Sequence, residues 1–214
     1  VIAALYPVGF LLVQLALALA LAWALGRLLA IAHPWAAWGG LIVVPVALEW
    51  FRRQDNRFFA YYLMHDYAYS ARHYGANPPE LEARIAAFND EIAEALQGDA
   101  DEVLVVGHSS GAHLAVSVLA DLIRQGRVAP RGPALALLTL GQVVPMVSFL
   151  PDAHRLRADL RYLSARDELT WIDVTAPGDG CAFALCDPVA VSGVAPAARR
   201  WPLVLSAAFT RTLS

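Results

Sequence analysis

The chain opens on one long apolar stretch and then changes to short apolar runs alternating with amphipathic stripes. From Ile2 to Ala32 it is apolar at nearly every position, broken only by Gln14 and Arg27. About 20 such residues form a helix that crosses the hydrocarbon core of a membrane, so this stretch predicts a transmembrane helix. Its leucines and alanines are strong helix formers, and Arg27 near its end can reach the headgroups. After His33-Pro34 a second apolar run extends from Trp35 to Leu48, flanked by Trp35, Trp38 and Trp50, whose rings favour membrane interfaces. This run predicts a second, shorter span; Pro45 and the pair Gly39-Gly40 leave a re-entrant or interfacial helix as the alternative. A secretory signal fits less well, because its apolar core is only about 7–15 residues long and a small-residue cleavage site follows it. Arg52, Arg53 and Arg57 come next, and positive charge beside a span favours the cytoplasmic side. Residues 1–50 are therefore read as an anchor of one or two spans in an inner or plasma membrane, and residues 51–214 as a cytoplasmic domain.

Within that domain the run Phe58 to Met64, FFAYYLM, is aromatic-rich and predicts a buried strand leading into the polar loop His65-Asp66-Tyr67. Asn77, Pro78 and Glu80 have the spacing of a helix cap, first turn and capping box. Leu81, Ile85, Phe88, Ile92 and Leu96 then make one apolar stripe, which Gly98 ends. Val103 to Val106 is a continuous apolar run, the pattern of a strand covered on both faces in a parallel sheet. Leu114, Ala115, Val118, Leu119, Leu122 and Ile123 mark the next amphipathic helix, stopping at Gly126. Ala134–Leu140 and Trp171–Ala176 read as further strands, Pro151–Arg166 as a surface helix, and Val204 onward as the start of another element. Strands alternating with helices at these intervals predict βαβ units and an α/β fold with a mostly parallel sheet.

Composition sharpens this division. Hydrophobic residues make up 58% of the 214 and charged residues 16%, with the apolar excess in the first fifty positions. A net charge of −3 and a pI near 6.1 give no overall basic field, which argues against nucleic acid as a partner. Cys181 and Cys186 match neither a CxxC redox pair nor a zinc knuckle and read as buried thiols. No His/Asp/Glu cluster has metal-ligand spacing, and neither GxGxxG nor GxxxxGK[ST] occurs, so no metal, cofactor or nucleotide is expected. The chain starts at Val1 instead of Met, and nothing near Ser214 reads as a terminal signal, so the native protein is expected to extend at both ends.

The chemistry gathers at Gly107-His108-Ser109-Ser110-Gly111, between the predicted strand Val103–Val106 and a predicted helix beginning near Ala112. Glycines two residues either side of Ser109 allow strand and helix to meet around a strained turn that presents the serine hydroxyl above the sheet edge. The Ser110 backbone N–H, at the helix N-terminus, is then placed to bind an oxyanion, helped by the helix dipole. The plainer alternative is a tight strand-to-helix connection without chemistry.

VLVVGHSSGAHLA resembles the nucleophile elbow of the α/β-hydrolases, in particular their serine esterases and lipases, and LLTLGQVVP is similar to the strand after the elbow in class 3 lipases. The resemblance covers roughly Phe58 to Val189. It implies an α/β-hydrolase-like sheet and an acyl-ester hydrolase with Ser, Asp and His in that chain order, the acid lying in a loop after a later strand. Asp179, in Pro177-Gly178-Asp179, matches that position best and Asp187 is the runner-up; either residue also suits a turn cap. The resemblance places the second oxyanion donor in the loop after the first strand, at the backbone N–H of Asp66 or Tyr67. The histidine departs from the pattern. All six, His33, His65, His73, His108, His113 and His154, precede Asp179. His154 is a candidate non-standard base, and a base from beyond Ser214 is the main expectation. The function expected is a membrane-anchored serine hydrolase acting on a small-molecule or lipid ester, with oligomeric state open. Its rival is a non-catalytic membrane-anchored binding or scaffold domain on the same fold.

Overall fold

The computed structural model describes residues 2–179 and 181–207, and the chain divides into two compact units, Val1–Ala68 and Tyr69–Ser214. The first unit thus runs well past the expected boundary at residue 50.

In the first unit, α1 spans Ile2–Leu29, a 3-10 segment Pro34–Ile42 and α2 Val43–Arg53. The stretches Leu5–Leu29 and Pro34–Arg53, with mean hydropathies of 2.3 and 1.3, are both long and apolar enough to cross a membrane. His33 caps the turn between them, its Nδ1 accepting Trp35 N–H at 3.3 Å. Gln14, Ala18, Ala22 and Gly26 form a buried stripe at helical spacing on α1. Against it the 3-10 segment packs so closely that a side chain at Gly40 would run into the Ala22 carbonyl. Gln14 is buried within this apolar hairpin, and neither of its side-chain polar atoms has a hydrogen-bond partner among the described residues.

The strand expected at Phe58–Met64 is instead helical. A short α3, Asp55–Phe58, ends at Phe59 in the left-handed region, φ +54°, and α4 follows over Ala60–Arg72. The run lacks β-branched residues, which are what favour the extended chain. Asp55 also supplies a cap from upstream, its carboxylate oxygens accepting the N–H groups of Tyr61 at 2.9 Å and Tyr62 at 2.8 Å.

The second unit is built on four strands, β1 Glu102–His108, β2 Ala134–Leu140, β3 Thr170–Thr175 and β4 Leu203–Ser206, all parallel and in spatial order β1-β2-β3-β4. Helix α5, Pro79–Ala95, is capped at Pro78 and not at Asn77, whose amide donates to Glu82 Oε1 at 2.8 Å. Helix α6 spans Gly111–Arg124, α7 Val144–Ser148, α8 His154–Leu163 and α9 Pro188–Val191.

The core forms where α6 and α8 meet one sheet face: Val116, Leu119, Leu122, Leu137, Leu160, Leu163 and Trp171 pack together there. Helix α8 is thus not merely a surface helix. Leu156, Leu160 and Leu163 face the core, and its opposite charges lock onto α6 through Arg155 Nη2 to Asp121 Oδ2 at 2.6 Å and Arg124 Nη1 to Asp159 Oδ1 at 2.5 Å. On the other sheet face Leu104, Val106, Leu203 and Leu205 are about half exposed.

Candidate active site

Because all four strands run the same way, their carboxyl ends share one edge, where ligands of open parallel sheets bind. Ser109 leaves β1 at that edge. It takes φ +54°, donates its N–H to the Leu140 carbonyl at 2.9 Å, and accepts Ala112 N–H at 3.2 Å, which turns the chain from strand into α6. A left-handed non-glycine residue costs on the order of 1–3 kcal/mol and persists only where its surroundings over-determine it. Gly107 is part of that constraint: a Cβ there would lie 2.8 Å from Ala112 Cα and 2.9 Å from the Gly111 carbonyl oxygen. At Gly111 a Cβ would meet nothing within 4 Å. Close approach therefore rests on the first glycine of the pair, whereas the motif alone suggests both.

Ser110 holds the N-cap position of α6 with φ −63° and ψ −27°, and its side chain makes no capping hydrogen bond. N–H groups at a helix start have no partner within the helix, so the Ser110 N–H sits where the dipole favours an anion. Asp66 does not supply the second donor in the expected way. It lies inside α4, where helical geometry commits its N–H to the carbonyl four residues back. The loop expected around it is helix.

Asp179 follows β3 at the same sheet edge. Its N–H donates to the Ala176 carbonyl at 3.0 Å, and its Oδ1 accepts the N–H groups of Cys181 at 2.9 Å and Ala182 at 3.2 Å. Its Oδ2 faces Gly141, where a Cβ would come within 3.2 Å of it. Gly141 directly follows Leu140, the residue that holds Ser109 N–H, and itself takes φ +53°. Adjacent strands lie about 4.8 Å apart, so the ends of β1 and β3, on either side of β2, are about 10 Å apart. An imidazole with one hydrogen bond at each ring nitrogen links oxygens about 7 Å apart, less than this backbone separation by about the reach of two side chains.

Asp187 is engaged elsewhere. It caps α9, accepting the N–H groups of Val189 and Ala190 at 2.9 and 3.1 Å, and pairs with Arg199. His154 opens α8 with its Nδ1 3.1 Å from Arg157 Nη2. The adjacent Arg155 is tied to Asp121, ten residues past Gly111 and so about 15 Å down α6 from the elbow. The structure does not bring His154 to Ser109. His113, in the first turn of α6, is held far below the usual histidine range, at about 4, by burial, and its Nδ1 has no hydrogen-bond partner among the described residues. Cys181 and Cys186, expected to be buried, are free thiols only partly buried in the Asp179 loop; burial and then the Asp179 charge push the Cys181 thiol up.

Two buried polar residues have no place in the sequence-based site. Asp173 on β3 accepts Thr139 Oγ1–H at 2.5 Å, and Thr139 Oγ1 accepts Trp171 Nε1–H at 3.0 Å. Burial pushes Asp173 up to about 6. Gln142, after β2, is fully buried with its amide bonded to the Asp179 loop. The only sequence signal for either is a polar side chain within or directly after an apolar strand. Beside Gly111 lies an apolar hollow of about 220 Å³ lined by Phe88, Ile92, Val105, Val106, Leu114 and Val118 among others. Among the described residues no three His, Cys, Asp or Glu side chains are grouped to hold a metal ion. No protein-family model, curated protein or solved structure matches the chain.

Proposed function

We propose that this protein is a membrane-anchored serine hydrolase of the α/β-hydrolase kind, cleaving an acyl ester through an acyl-enzyme on Ser109. The observation that carries the reading is the left-handed Ser109 at a strand-to-helix turn over the sheet edge, with Asp179 two strands away. In the reaction, Ser109 Oγ attacks the ester carbonyl carbon while a base, oriented by Asp179 Oδ2, takes the hydroxyl proton. The carbonyl π pair moves onto oxygen, where the Ser110 N–H receives it. As the carbonyl re-forms, the C–O bond to the alcohol breaks and the alcohol leaves with the proton. Water then repeats the sequence and releases the acid. The two apolar N-terminal helices put the domain beside acyl chains, which favours a lipid ester, and the arginines after them favour the cytoplasmic face.

The test is covalent capture by a fluorophosphonate, which needs an activated serine, in the full-length protein in its membrane. An adduct on Ser109 is expected, lost by several orders of magnitude in Ser109→Ala and only reduced in Ser110→Ala, whose backbone N–H remains. No adduct, or equal mild losses in both variants, refutes the reading and leaves a non-catalytic membrane-anchored binding domain. Release of the protein from membranes by high salt alone would sink the anchor.

A further inference from the structure

The turn after β2 touches both members of the proposed catalytic pair. Leu140 holds Ser109 N–H through its carbonyl, and Gly141 leaves the space that Asp179 Oδ2 faces. The next residue, Gln142, is 0% exposed, and every hydrogen-bonding group of its amide is used. Nε2 donates to the carbonyls of Phe183 and Cys186, both at 3.3 Å, and Oε1 accepts Val144 N–H at 2.9 Å. Its main-chain carbonyl accepts Phe183 N–H at 3.0 Å.

Asp179 itself is exposed, and among the described residues its Oδ1 is tied within its own turn, to Cys181 and Ala182. Among the described residues, the ties from the segment between Asp179 and Asp187 to the sheet fall further along. They are the Gln142 bonds to Phe183 and Cys186 and the bond from Leu185 N–H to Thr175 Oγ1 at 2.9 Å. The bond from Asp179 N–H to the Ala176 carbonyl starts the loop at the end of β3, and the height of the rest of the loop, which carries the two N–H groups bonded to Oδ1, is set at a distance from the carboxylate.

We infer that Gln142 is a positioning residue, clamping the loop that carries Asp179 so that Oδ2 stays turned toward the serine's edge of the sheet. The inference rests on the Ser109–Asp179 reading above. A carboxylate displaced by about 1 Å orients its base poorly, and such displacements cost on the order of 10²-fold in rate. Glutamate at this position keeps the acceptor for Val144 N–H but turns lone pairs toward two carbonyls. Methionine fills the space and bonds to none of the three.

The experiment measures the pH-dependent rate of fluorophosphonate capture at Ser109 in the full-length protein, for wild type, Gln142→Met, Asp179→Asn and the double variant, with thermal midpoints alongside. Gln142→Met should slow capture about 10²-fold. It should also move the acidic limb of the profile to lower pH, because a base that loses its carboxylate becomes less basic. In the Asp179→Asn background the same change should cost less than about threefold, since the acid it positions is already neutralised. If Gln142→Met does not fold, Gln142→Glu serves with the same expectations. Losses that multiply in the double variant, or an unmoved acidic limb, overturn the inference while the hydrolase reading stands. A wild type that captures no probe overturns both.

Discussion

Only one of the two glycines bracketing Ser109 is required by packing, and that difference is measurable. An alanine methyl at Gly107 would lie 2.8 Å from Ala112 Cα, 2.9 Å from the Gly111 carbonyl oxygen and 3.1 Å from Ala112 N. These are backbone atoms of the first turn of α6, so relief requires moving the helix off β1 and cannot come from one side chain turning aside. Overpacking costs about 1–3 kcal/mol and occasionally more, and backbone obstruction puts Gly107→Ala at or above the top of that range. At Gly111 the methyl meets nothing within 4 Å, and the residue opens a helix. Alanine there recovers up to about 1 kcal/mol of helix propensity. With about 2–4 °C per kcal/mol for a unit of this size, Gly107→Ala should lower the thermal midpoint by roughly 6–12 °C, and Gly111→Ala should leave it unchanged or raise it slightly. Thermal unfolding of the full-length protein in mild detergent, followed by near-ultraviolet circular dichroism, separates the two. Equal losses in both variants, or a Gly107→Ala midpoint within a degree of wild type, would falsify the close contact between strand and helix that holds Ser109 in its left-handed turn.

Four further substitutions probe other parts of the chain. Burial, with the Asp187 charge adding to it, lifts Asp173 from 3.8 to about 6. The folded state then keeps a proton the unfolded chain has lost, and stability falls as pH rises through that window. Asp173→Asn should stabilise by up to about 3 kcal/mol at pH 8 and hardly at all at pH 3.5, and a gain independent of pH would refute this. Asp179→Asn should slow ester hydrolysis by about 10⁴-fold, whereas Asp187→Asn keeps a capping oxygen and should lose only its ion pair with Arg199; the reverse pattern would make Asp187 the acid. Gln14→Leu removes a buried amide with no hydrogen-bond partner among the described residues and should stabilise the N-terminal hairpin by about 1 kcal/mol, read as a higher SDS concentration for unfolding; destabilisation would show that Gln14 has a partner.

The fold is legible wherever one local pattern has a single structural meaning. Ala134–Leu140 is a strand over the very residues that its mostly apolar run marks, and β3 begins one residue early. FFAYYLM is ambiguous, because an aromatic run suits a strand or a helix, and the choice falls to Asp55, which caps α4 from across the left-handed Phe59. Helix α8 resists reading for the opposite reason. Its arginines and aspartates look solvated one by one, yet Arg155 and Asp159 meet charges on α6, and with those neutralised the leucines between them go into the core.

The site divides in the same way, by the distance along the chain over which its constraints act. The elbow is local. Five consecutive residues carry the missing side chain at Gly107, the strained Ser109 and the helix start at Ser110, so their order alone is enough to place the strand-to-helix turn. Nothing comparable marks how the Asp179 loop is held. Gln142 reaches partners 41 and 44 residues further on, and along the chain it is one polar residue in a turn, indistinguishable from a solvated one. Its burial changes that meaning: an amide removed from water must find a partner for each donor and acceptor, and the carbonyls that answer belong to the loop carrying Asp179. A left-handed serine at a strand-to-helix turn is thus readable from a short motif, while the placement of the loop that carries Asp179 depends on pairings that only the folded chain brings together.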